Sequence, residues 1–149
     1  MMIRVEGIEL DDFTGQYLRT ALWASTVELP VASGRLIDGC MDVDEEHPLH
    51  GISEEDSYDS HFDLNDFTEE AIRAAAADCA KFQGENADDL SSEDPENAGH
   101  DFWLTRNGHG AGFWDGDYEE SKGERLTAAC EAYGHLHVWV DETGSLHFE

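Results

Sequence analysis

Lysine is nearly missing from this chain. Of 149 residues only Lys81 and Lys122 are lysines, and lysine plus arginine number 8 against 35 aspartates and glutamates, a formal net charge of −27. That imbalance makes direct association with nucleic acid or an anionic membrane strongly unfavourable, so any macromolecular partner is expected to be basic. Cysteine is also scarce. Cys40, Cys79 and Cys130 are an odd number without paired spacing, and two of them fall on apolar faces of expected helices. Free, buried thiols in a reducing compartment are therefore expected in place of a disulfide framework or a zinc site. No apolar run approaches the roughly 20 residues that a membrane-spanning helix needs. The opening Met1-Met2-Ile3-Arg4-Val5-Glu6-Gly7 lacks the apolar block of a signal peptide, so a cytoplasmic location is expected. There is no H-E-x-x-H, no G-x-S-x-G and no phosphate-binding glycine loop, hence no signature for a metal or cofactor.

Hydrophobic residues make up 40% of the chain, enough for one core, and residues 1–149 read as a single domain with an acidic irregular segment at about 27–66. Residues 1–10 alternate loosely as a strand. Asp11 or Asp12 can cap a helix running to about Trp23, with Phe13, Tyr17 and Ala21 on its inner side beside Leu18 and Leu22. Pro30, Ser33 and Gly34 then break any regular pattern. From Leu36 to Ile72 there is no lysine or arginine but there are thirteen acids, including Asp38, Asp66, Glu69 and Glu70. Such a segment repels itself, although Ile37, Val43, Leu49, Ile52, Tyr58 and Phe62 could pin it to the body. Thr68 as N-cap, with Glu69 and Glu70 in the first turn and Phe67 and Ile72 as a staple, opens a second helix, for which Gly84 is the expected stop.

Asp101 to Asp115 holds two tryptophans, two phenylalanines and, at its centre, Asn107-Gly108. That dipeptide favours the two positive φ angles of a type I′ turn, which predicts a β-hairpin with Phe102 opposite Phe113, Leu104 opposite Ala111 and Arg106 opposite His109. Asp94-Pro95 could begin one helical turn before it. Ser121-Lys-Gly-Glu124 reads as a capping box for a third helix ended by Gly134. A last hairpin turns at Glu142-Thr143-Gly144, pairing Val140 with Leu146, Val138 with Phe148 and Trp139 with His147. The expected fold is α+β, with three helices packed on one side of a mainly antiparallel sheet built from two β-hairpins.

Two sets of residues could carry function. The first is an acidic surface for a partner: Asp42, Asp44, Glu45, Glu46, Glu54, Glu55, Asp56, Asp59 and Asp63, with Asp88, Asp89, Glu93 and Asp94 further on. Carboxylates held on a stable face could take the place of DNA phosphates in the positive groove of a DNA-binding protein. Solubility alone is the plainer reading of the same acid. The second set is the polar cluster His100, Asp101, Arg106, His109 and Asp115, joined by Asp117, whose histidines and carboxylates are material for a metal-dependent or acid-base site. Its spacing matches no metallohydrolase signature, and Gly108, Gly110 and Gly112 are explained by a turn and by neighbouring aromatics. Arg106 in so acidic a chain is expected to pair with a nearby carboxylate.

Ala98-Gly-His-Asp-Phe-Trp-Leu-Thr-Arg-Asn-Gly-His-Gly-Ala-Gly-Phe-Trp-Asp115, followed by Gly123-Glu-Arg-Leu-Thr127, resembles the hallmark of a family of small uncharacterised phage, prophage and plasmid proteins. Weaker similarity extends to Tyr17–Thr26 and Ala77–Phe82; the acidic insert departs from the pattern. The resemblance implies a mobile-element accessory protein. With the acidity it leads to the expectation of a non-enzymatic, DNA-mimic-like inhibitor of a basic host protein such as a restriction or CRISPR effector. A small metal-dependent hydrolase and an acidic virion or assembly component are the alternatives.

Overall fold

The computed structural model describes residues 3–30, 36–37, 39–109 and 111–149, residues 36 and 37 by their backbone alone. Ser33, Gly34, Asp38, Gly110 and the Ile37 side chain lie outside the described residues.

Strands β1 (Ile3–Val5) and β2 (Ile8–Leu10) form a hairpin with Val5 paired to Ile8. Its two-residue loop, Glu6-Gly7, has φ of 52° and 78°, the double left-handed geometry of a type I′ turn. Helix α1 (Asp12–Ala24) comes next, capped by Asp11, whose carboxylate accepts from the Thr14 amide at 2.8 Å. The acidic stretch beyond contains the short hairpin β3 (Leu36–Ile37) and β4 (Cys40–Met41) and two 3₁₀ turns, Tyr58–Ser60 and Leu64–Asp66. Leu49, Ile52 and Tyr58 pin it as expected, and all three are buried. The Tyr58 hydroxyl donates to the Val138 carbonyl at 3.1 Å, and it accepts from the Glu28 amide.

Helix α2 (Glu69–Glu85) starts at the Thr68 cap and buries Ile72, Ala75, Cys79 and Phe82. It does not stop at Gly84; Asn86 closes it by donating from both its backbone and its side chain to the Phe82 carbonyl. A single turn, α3 (Ala87–Leu90), leads to α4 (Pro95–Arg106). Helix α5 (Glu120–Glu131) is capped by Glu119, which accepts from Ser121 N and Oγ, so Ser121 lies inside the helix and is not its cap. The chain ends in β5 (Val138–Val140) and β6 (Leu146–Phe148), in the expected register, with Gly144 left-handed at φ 87°.

The expected four-stranded sheet does not form. Among the described residues there are five helices and three separate two-stranded hairpins, a mixed α/β arrangement dominated by helix packing. The difference arises at Asp101–Asp115, where no hairpin exists: residues 101–106 are the last half of α4. Asn107 caps that helix with φ −99°, and Gly108 alone is left-handed at +70°. The Gly108 amide bonds the Thr105 carbonyl at 3.2 Å and the His109 amide bonds the Leu104 carbonyl at 3.0 Å. Those two bonds are a Schellman closure, which needs one left-handed glycine where a type I′ turn needs two left-handed residues. Periodicity gave no warning, because α4 buries Ala98, Gly99, Asp101, Phe102, Trp103, Leu104 and Arg106, almost its whole circumference.

Helices α1 and α4 cross at Gly99, over the backbone carbonyl of Phe13. Aromatic rings fill the space between them and α2: Phe82 stacks on Phe102 at 4.1 Å between centroids, and Phe13, Tyr17, Phe113 and Tyr133 surround that pair. Two cysteines share this core. Burial pushes the Cys79 thiol well above its ordinary value and Cys130 up to about 12, whereas Cys40 is half-buried on β4. An aromatic disulfide reagent is therefore expected to modify one thiol quickly at pH 8 and the other two only on unfolding, with Cys40→Ser removing the fast phase. A second fast thiol in the native protein would contradict this packing.

Candidate functional site

The structure sorts the thirteen carboxylates of the expected acidic surface into two kinds. Asp42, Asp44, Glu45, Glu46, Glu55, Asp59, Asp63, Asp88 and Asp94 are exposed. Some of them also hold local geometry: Asp63 accepts from the Asn65 amide, and Asp94 caps α4 by accepting from the Asn97 amide. Glu54, Asp56, Asp89 and Glu93 are half-buried and engaged within the chain. Glu54 accepts from the Leu29 amide at 3.0 Å and Asp56 from His61 Nε2 at 2.6 Å. Asp89 pairs with Arg125 at 2.6 Å and Glu93 with Lys122 at 2.8 Å. The Arg125 hydrogen bond holds Asp89 below the usual carboxylate range, as the His61 bond does Asp56.

The second set is divided. Arg106, six residues and about 9 Å along the axis from His100, points into the core and not to a hairpin tip; its side chain is 3% exposed. It donates from Nη1 to the Tyr17 hydroxyl and to Asp78, each at 2.9 Å, from Nη2 to the Tyr133 carbonyl at 2.9 Å and from Nε to the Gly134 carbonyl at 3.0 Å. The expected carboxylate partner is thus present, but it is Asp78 of α2. His109 lies past the end of α4, its amide closing the Schellman motif. Asp115 accepts from the Gly112 amide at 3.2 Å. Gly112 has φ 150°, and a Cβ there would stand 2.2 Å from the Thr105 hydroxyl oxygen, so its glycine is set by close approach to Thr105 and not by a neighbouring aromatic.

His100 and Asp101 do meet a common space. Together with Glu93, Asp94, Asn97, Asp117 and Tyr118 they line a cleft of about 360 Å³ between α4 and the segment leading to α5. His100 is oriented by Thr20 of α1, Oγ1 to Nδ1 at 2.8 Å. Asp101 is 7% exposed and accepts from the Tyr118 hydroxyl at 2.7 Å. Burial raises the Asp101 carboxyl above its ordinary value; Tyr118 and His100 oppose the shift, and the neighbouring charges of Asp115 and Asp117 add to it. Burial and that same hydrogen bond raise the Tyr118 hydroxyl. Of the four carboxylates around this polar hollow Glu93 already holds the Lys122 ammonium, and exposed Asp94 and Asp117 suit a further ammonium or guanidinium group. Among the described residues no three of the His, Cys, Asp and Glu side chains converge as metal ligands would.

Tyr118 and Asn97 were not singled out in the sequence, and neither was Trp23, whose indole is 58% exposed. A signal for Trp23 existed: it falls at i, i+3 and i+7 with Gln16 and Arg19 on the polar side of α1, off the buried stripe. On the histidine-rich last hairpin, Trp139 stacks on His147 at 4.1 Å and His147 bonds Asp141 at 2.7 Å, which accounts for that histidine by packing and a carboxylate partner.

No protein-family model, no curated protein and no solved structure matches this chain. Among the described residues no helix is long and apolar enough to cross a membrane.

Proposed function

We propose that this is a non-enzymatic accessory protein of a phage or other mobile element that binds a basic, nucleic-acid-binding host protein, such as a restriction or CRISPR effector. Its carboxylates would stand where that protein takes phosphates. One observation carries the reading: most of the few cations are already paired with carboxylates of the same chain. Of the 8 lysines and arginines, Arg4, Arg73, Arg106, Lys122 and Arg125 each pair with a carboxylate of the same chain. Glu45, Glu46, Glu55 and Asp88 face solvent with no cationic partner among the described residues. A surface so uncompensated attracts cationic groups over about a Debye length, roughly 10 Å at 0.1 M salt.

The test is capture of partners from host lysate, and then affinity measurement on the purified pair across salt. Affinity is expected to fall at least about 100-fold between 50 and 500 mM salt, as for a ligand that substitutes for several phosphates. Salt-insensitive binding would overturn electrostatic mimicry. The hydrolase alternative would need its metal ligands brought together, and of the histidines and carboxylates on which it rested His100, Asp101 and Asp117 line the cleft while His109 lies past the end of α4 and Asp115 bonds the Gly112 amide. Finding the protein built into virions would favour an assembly role.

A further inference from the structure

The geometry points to Trp23 and the groove beside it as the docking point for a basic segment of the partner that carries a large apolar side chain. This rests on the proposed binding of a basic host protein and names the face that does the binding. The groove, about 360 Å³, runs between the outer side of α1 and the 3₁₀ turns of the acidic stretch. Leu22 and Leu64 form its apolar floor, Trp23 and Phe62 stand at its walls, and Asp59 and Asp63 rim it with negative charge. Trp23 is 58% exposed, although interiors readily take up aromatic rings. Tryptophan is one of the residues enriched among interface anchors. The indole face also attracts guanidinium and ammonium groups.

Charge selects the occupant. The Trp23 ring lies 5.6 Å from that of His100, and His100 also lines the cleft of Glu93, Asp94, Asp101 and Asp117. Groove and acidic cleft therefore adjoin. A segment seated with an apolar residue on Leu22 and Leu64 has carboxylates on both sides for its arginines or lysines. A second copy of this chain, at −27, would be repelled from the same place. Among the described residues Arg19 is the one cation on the groove's wall; it disfavours arginine beside it, so Arg19→Gln is expected to tighten binding.

The test uses the full chain at 50 mM salt with three labelled synthetic peptides: a leucine pair flanked by arginines, arginines alone, and the leucine pair flanked by glutamates. The first is expected to bind best and the third not at all. Trp23→Ala is expected to weaken the first at least about tenfold and arginines alone far less. Trp23→Phe should keep most of the affinity, and an unchanged melting temperature will verify that the surface variants fold. If Trp23→Ala binds as the parent does while Glu45→Gln/Glu46→Gln/Glu55→Gln binds weakly, the docking point is wrong and the proposed function stands. If the glutamate-flanked peptide binds as well as the arginine-flanked one, or none binds, both fall.

Discussion

Arg106→Ala is expected to cost about 3–5 kcal/mol, from the void left by a buried side chain and the hydrogen bonds it abandons. Four hydrogen bonds end on this guanidinium, and they come from three separate parts of the chain: Tyr17 of α1, Asp78 of α2, and the carbonyls of Tyr133 and Gly134 after α5. Its Cζ also lies 5.8 Å from the Phe102 ring centre and 5.6 Å from that of Tyr133. Alanine leaves the buried Tyr17 hydroxyl and the part-buried Tyr133 carbonyl without their donor and opens a void among aromatic rings. Lysine has no planar fork and is expected to recover only a minor part. Asp78→Ala should cost less, about 1–3 kcal/mol, because it leaves the buried guanidinium without its carboxylate but, with Asp78 38% exposed, opens that position to water. Urea unfolding monitored by tryptophan emission measures all three. With net stability for a domain of about 5–15 kcal/mol, Arg106→Ala should unfold at far lower urea. A loss under about 1 kcal/mol would mean that the network does not hold these elements together.

Gly99→Ala is the second large effect. A Cβ at residue 99 would stand 2.1 Å from the Phe13 carbonyl oxygen and 2.9 Å from its carbon, both backbone atoms of α1 that no rotamer change can move. Alanine gains up to about 1 kcal/mol of helix propensity over glycine, but α1 and α4 must separate to admit it, breaking the contacts of Phe13, Tyr17 and Phe102. A net loss of about 2–4 kcal/mol is expected, at and above the usual range for overpacking. Gly84 in α2 is the control. It is exposed and nothing lies within 4 Å of a Cβ there. Gly84→Ala is therefore expected to stabilise by about 0.5–1 kcal/mol. The two variants make the same chemical change in two helices, so opposite signs in a urea titration isolate the helix crossing as the cause. If Gly99→Ala also stabilises, the close approach of α1 and α4 is wrong.

Features set by neighbours in sequence were legible. Asp11 and Thr68 as caps, the inner stripes of α1 and α2, and the Val140–Leu146 register of the last hairpin all follow from local hydrogen bonding and from periods of 3.6 and 2. Boundaries were weaker where two local signals competed. Gly84 looked like a stop yet continues the helix, and the Ser121 box yielded to Glu119 two residues earlier. Of the candidate site, the sequence carried the composition of the cleft wall, His100, Asp101, Glu93 and Asp94, but not Tyr118, which arrives from the far side of a bend.

By itself, then, the sequence determined the extreme charge, the free thiols, the starts of α1 and α2 and the terminal hairpin, because each depends on composition or on residues a few positions apart. Only the tertiary structure decided that Asp101–Arg106 is helix, that Arg106 is a core latch and that Trp23 is left at the surface. A helix buried on nearly every side has no polar face to reveal its period, and Asn-Gly suits a Schellman closure as well as a hairpin turn. Which of the two forms depends on the helices packed against it.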